Sequence, residues 1–177
     1  MYHQSALREG KYMEYRKATE QDTAQIYNLV QTTITTIYPR YYPKEVVDFF
    51  CALHNEEAIR GDILAGNAGV LLAEGRIVGT GSYQGNHITR VYVLSEFQGK
   101  GYGSFIMDQL EDRIRTGHEK AELDASLPAC TLYEKRGYKT VKHARWNVEN
   151  GVVLVYEIME KEFHTTHAVY GHNGKIN

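Results

Sequence analysis

Three glycines fall within five residues in the segment Gln98-Gly99-Lys100-Gly101-Tyr102-Gly103-Ser104, and the chemistry they allow is phosphate binding. Glycine lets a backbone approach a ligand closely and take dihedrals closed to other residues. A helix that starts in such a loop presents unpaired N–H groups and the positive end of its dipole, which together seat a phosphate or pyrophosphate. Two familiar glycine loops are excluded. A Walker loop needs Gly-x-x-x-x-Gly-Lys-Ser/Thr, and Leu94 stands where its first glycine belongs. A dinucleotide fingerprint needs Gly-x-Gly-x-x-Gly, and Ser104 replaces its third glycine.

The flanking elements suit a phosphate seat. Ile88, Thr89, Val91, Tyr92, Val93 and Leu94 form the β-branched and aromatic run of a strand. Phe105, Ile106, Leu110 and Ile114 recur at helical spacing and predict one buried face. Upstream, the pattern predicts a first strand from Met13 and a helix after the cap Thr19 with Ile26, Leu29, Val30 and Ile34 on one side. A second helix over residues 44–62 follows, with Val46, Val47, Phe50 and Leu53 as its stripe. Residues 70–80 read as a hairpin joined at Glu74-Gly75-Arg76. Downstream come a short strand at 120–125, a helix capped by Ser126 and ended at Gly137, and two strands joined at Asn150-Gly151. Trp146, inside one of these strands, is expected in the core. The order is β-α-α-β-β-β-α-β-α-β-β.

Gln-x-x-Gly-x-Gly between a strand and a helix resembles the acetyl-coenzyme A loop of the GNAT superfamily of N-acetyltransferases, and the element order is theirs. The segment Cys130–Tyr138 is similar to the family helix that ends in Phe/Tyr-Tyr-x-x-x-Gly-Phe/Tyr. The resemblance spans residues 13–163 and implies an α+β fold of three layers, with a central mixed sheet of about seven strands flanked by about four helices. Residues 1–12 are then expected to be a flexible arm and residues 164–177 a flexible tail. It also implies acetyl-CoA as co-substrate, with no metal. The binding set carried over is Tyr92, Val93, Gln98, Gly99, Lys100, Gly101, Tyr102, Gly103, Ser104 and Ser126. Tyr92 and Val93 would pair with the pantetheine arm, and the Val93 N–H, opened by a bulge, would meet the oxyanion. Many relatives carry Asn where this chain has Ser126.

The resemblance also places a tyrosine, here Tyr133, at the coenzyme sulfur. A phenol of pKa ~10 can donate to a departing thiolate. An amine nucleophile must lose its proton, so a base near the acceptor is expected. Eleven residues before Gln98, where one branch of the family has glutamate, stands His87. Imidazole suits that task near neutral pH. An exposed turn histidine is an equal reading, and Asp124 is a weaker alternative base. Tyr38, Tyr41 and Tyr42 could border the acceptor or only pack a loop.

The length of 177 residues suits one domain, and 42% hydrophobic with 24% charged residues is ordinary for a globular chain. A net charge of −2 gives no footprint for nucleic acid, and no apolar run suits a membrane. Cys51 and Cys130 fit no metal spacing and read as reduced thiols of a cytoplasmic protein. His164, His167 and His172 lack carboxylate or cysteine partners nearby and are discounted as a metal site. The expected activity is acetyl transfer to a small-molecule primary amine in a ternary complex. The alternatives are a silent acyl-coenzyme A sensor and an acetyltransferase for protein lysine or N-terminal amines. A homodimer remains open.

Overall fold

The computed structural model describes residues 3–8 and 11–163. The N-terminal elements are strands β1 (His3–Arg8) and β2 (Lys11–Lys17) and helices α1 (Thr23–Ile37), α2 (Lys44–Leu53) and α3 (Glu56–Leu64). Three strands follow, β3 (Ala68–Ala73), β4 (Arg76–Gln84) and β5 (His87–Val93), and then α4 (Tyr102–Arg115). The chain continues through β6 (Lys120–Ala125), α5 (Cys130–Lys135), β7 (Lys139–Asn147) and β8 (Val153–Glu162). The sheet order is β1-β2-β3-β4-β5-β6-β8-β7. Only β5 and β6 run parallel; the other described neighbours are antiparallel.

The sheet separates two cores. Helices α1–α3 cover one face, where Ile26, Val30, Ile34, Val46 and Ile59 meet Val70, Ile77 and Tyr92. Helix α4 covers the other, where Phe105, Ile106 and Leu110 meet Leu71, Val78, Ile88 and Val93. Each such buried side chain contributes roughly 1.5–3 kcal/mol. Gly81 lets α4 come this close, because a Cβ there would lie 2.5 Å from an Ile106 methyl. Arg16 ties β2 to the start of α1 through two bonds to the Asp22 carboxylate, at 2.8 and 2.9 Å. That carboxylate also accepts from the Thr19 N–H and hydroxyl.

Three expectations change. The arm expected at residues 1–12 contains a strand, since β1 pairs with β2 from His3↔Arg16 to Arg8↔Lys11 and adds an eighth strand to the expected seven. The tail expected at 164–177 lies outside the described residues. The single helix expected over 44–62 is two, because His54 leaves helical dihedrals and the Asn55 side chain caps α3 by accepting from the Ala58 N–H. Trp146 is not core. It is 56% exposed, since β7 is an edge strand. Its ring instead leans on Phe49, with centroids 6.4 Å apart. The Asn150-Gly151 turn forms as expected, with positive φ at both residues.

Among the described residues, no helix is long and apolar enough to cross a membrane. The Arg16 guanidinium beside Asp22 holds its carboxyl down at about 2. A depressed carboxyl contributes stability above its unfolded pKa of ~3.9 that is lost as pH falls towards the folded value. The urea midpoint of the wild type should therefore drop between about pH 4 and pH 2, and Asp22→Asn should start lower and show a shallower drop in that window.

Candidate functional site

Strands β5 and β6 share two register partners, His87↔Glu122 and Ile88↔Leu123, and then separate. The opening between them holds the site. A bulge in β5 controls which side chains reach it. Ser82 pairs with Arg90 but Tyr83 pairs with Ile88, so Thr89 is the extra residue, its hydroxyl 2.8 Å from Ser82 Oγ. One inserted residue inverts the alternation of a strand. Ile88 therefore joins the α4 core, while Tyr92, four residues on, faces α1 and α2. A bulge was expected near Val93; the structure puts it at Thr89.

Two cavities meet at this opening. The first, about 430 Å³, is lined by Val91, Tyr92, Val93, Gln98, Gly99, Gly101, Gly103, Ser104 and Ser126, together with Tyr38, Tyr41 and Leu132. Gly101 has φ +82° and immediately precedes α4, so the first-turn N–H groups of α4 point out of the loop. A Cβ on Gly99 or Gly101 meets no described atom within 4 Å. Gln98 Nε2 donates to the Val93 carbonyl at 2.8 Å and fastens the loop to β5. Lys100 and Tyr102 of the expected binding set are not among the residues that line this cavity. The Lys100 ammonium donates to the Glu96 carbonyl at 2.6 Å, and Tyr102 is buried edge-on against Phe97.

The second cavity, about 300 Å³, is bounded by Phe50, Leu53, His54, His87, Arg90, Asp124 and Tyr133. Of the stripe expected on α2, Leu53 is exposed and Phe50 only partly buried, and both border this space. His87 Nε2 lies 3.8 Å from an Asp124 carboxylate oxygen at its mouth. Tyr133 is buried, and burial, the largest cause, pushes its phenol well above the ordinary value.

Tyr38, Val91, Tyr92, Ser126 and Ala129 border both cavities. The Tyr38 hydroxyl lies 3.2 Å from that of Tyr92 and 3.1 Å from Ser126 Oγ. Ser126 was expected to cap a helix. Its side chain makes no capping bond, and a short 3₁₀ turn at Leu127–Ala129 precedes α5. Tyr42 accepts from the Leu127 N–H at 2.7 Å, so of the three tyrosines it is the packing residue. Arg136 bonds Asp108, Glu111 and the Ser104 carbonyl, locking the end of α5 to the first turns of α4.

Residues 37–163 match the family described as the acetyltransferase (GNAT) domain. The chain belongs to the GNAT family. A GCN5-related N-acetyltransferase from Rhodopseudomonas palustris superposes with a TM-score of 0.76 at 25% identity, over 84% of this chain and 94% of that one. The PaiA N-acetyltransferase of Thermoplasma acidophilum, solved with coenzyme A, gives 0.67 at 17% identity, over 85% and 99%. A Drosophila melanogaster polyamine N-acetyltransferase that forms N-acetylagmatine gives 0.64 at 14%, over 85% and 100%. No curated protein sequence matches the chain.

The glycine loop lines the first cavity and Tyr133 the second. His54 and Arg90 are what the sequence reading passed over. A charged residue inside the apolar run ITRVYV was the available signal for Arg90. Cys51 and Cys130 are free thiols, and His164, His167 and His172 lie outside the described residues.

Gly101→Glu would place a side chain where φ is +82° and a carboxylate in a loop whose expected ligand is an anion. Titration calorimetry should show acetyl-CoA binding abolished in this variant; unchanged affinity in the folded variant would move the coenzyme away from this loop.

Proposed function

We propose that the protein moves the acetyl group of acetyl-CoA to the primary amine of a small molecule, by direct transfer with both substrates bound. The observation that carries this reading is the meeting of the two cavities at Tyr38, Tyr92 and Ser126. One has the glycine loop and helix N-terminus that suit a pyrophosphate; the other, about 300 Å³, has the scale of a small ligand. Membership of the GNAT family supports the transfer chemistry.

The residues of the first cavity fit the coenzyme: Gln98, Gly99, Gly101, Gly103 and Ser104 would hold its pyrophosphate, and Tyr92 and Val93 its pantetheine arm. Bound acetyl-CoA supplies an activated acetyl group, whose C–S bond breaks as the C–N bond to the amine forms. Tyr133 holds a proton on its phenol oxygen, and burial keeps it there. Since that phenol is a much weaker acid than a thiol, its contribution is a hydrogen bond donated to the departing sulfur. His87, at the mouth beside Asp124, accepts the proton that the ammonium must lose.

Tyr133→Phe keeps the ring and deletes the hydroxyl. Single-turnover measurement should show the transfer step slowed by roughly a hundredfold or more, with acetyl-CoA affinity little changed. An unchanged transfer rate would remove Tyr133 from the chemistry. His87→Ala should abolish the acid limb of the rate–pH profile, and a retained limb would assign the base elsewhere.

A further inference from the structure

The acceptor cavity contains a charged network that the transfer chemistry above does not use. Arg90 is 5% exposed, and a guanidinium so buried is costly unless it is paired. Its Nη1 donates to the Asp62 carboxylate at 2.8 Å and to Ser82 Oγ at 3.1 Å. Its Nε–H points at Nδ1 of His54, 3.4 Å away. Arginine only donates, so this His54 nitrogen carries the lone pair and the other, Nε2, carries the proton. Burial, then the Arg90 charge, push the His54 imidazole down to about 3, so it is neutral near pH 7. It is a poor base and a fixed hydrogen-bond donor.

The donor is also held in place. Gln31 Nε2 donates to the His54 carbonyl at 3.0 Å, and the Tyr92 ring meets the imidazole edge-on at 5.3 Å. His54 and Arg90 both border the cavity that contains Tyr133. Tyr92 contacts both His54 and the hydroxyl cluster where the two cavities join.

We propose that His54, oriented by Arg90 and Asp62, is a specificity residue that donates to an oxygen of the acceptor. The favoured substrates are then primary amines bearing a carbonyl or carboxylate oxygen a few atoms from the amino group. This deepens the acetyl-transfer reading and rests on it. A fixed donor rewards an oxygen acceptor, leaves an alkyl chain unrewarded, and repels a second ammonium because it has no lone pair to offer. Asp62 already neutralises Arg90, so a neutral carbonyl satisfies the donor without an added charge.

The test is steady-state kinetics with the full-length protein, acetyl-CoA, and glycinamide, β-alaninamide, β-alanine, n-butylamine and 1,3-diaminopropane. The best oxygen-bearing amine should exceed n-butylamine in kcat/KM by roughly tenfold or more, with the diamine lowest. His54→Ala should bring the ratio of that amine to n-butylamine near one, mainly by raising its KM, with the KM for acetyl-CoA retained. His54→Gln keeps a side-chain N–H and should recover part of the ratio. A diamine that matches or beats the amides overturns the proposal, as does a His54→Ala variant that slows every amine by the same factor. If no amine is acetylated while acetyl-CoA still binds, the transfer reading itself fails.

Discussion

The two-partner contact between β5 and β6 is the constraint on which the rest of this structure depends. Full pairing would bury the backbone edge of β5 in a ladder and close the sheet. Because the strands part after Ile88 and Leu123, backbone groups on that side of β5 must find other partners. Gln98 satisfies one, the Val93 carbonyl. The others face a space that an extended ligand arm can enter as an added strand does. The glycine loop then follows at the end of β5, so the strand that offers its edge also leads into the start of α4.

The bulge at Thr89 supplies the second half of the arrangement. Without it, Ile88, Arg90 and Tyr92 would share one face. With it, Ile88 seals the α4 core while Tyr92 and Arg90 turn towards α1–α3. One strand thereby supplies Ile88 and Val93 to the α4 core and Arg90 and Tyr92 to the second cavity. Apolar packing holds the frame on both faces; polar contacts set the site. Arg136 and Gln98 brace the loop, while Tyr38, Tyr92 and Ser126 brace the partition.

Local signals in the sequence were legible where chemistry is carried by the backbone. Glycines at 99, 101 and 103 between a strand and a helix identified the first cavity, and the helical stripe 105–114 identified its support. Residues whose meaning depends on distant partners were not legible. His54 gains its role from Arg90, 36 residues away, and Arg90 from a bulge that alternation conceals. Trp146 was misplaced because its strand lies at the sheet edge, where apolar alternation no longer reports burial. The His54–Asn55 break was readable, since Asn followed by Glu56 and Glu57 is a helix start, but an unbroken apolar stripe masked it. The N-terminal strand was missed because His3–Arg8 is a polar segment without a core-facing pattern.

The central claim is that the opening between β5 and β6 is the coenzyme slot. Hydrogen exchange followed by mass spectrometry, with and without acetyl-CoA, tests it directly. The account predicts slowed exchange in peptides spanning Val91–Ser104, with β7 unaffected. Unchanged exchange across Val91–Ser104 at saturating acetyl-CoA would contradict it.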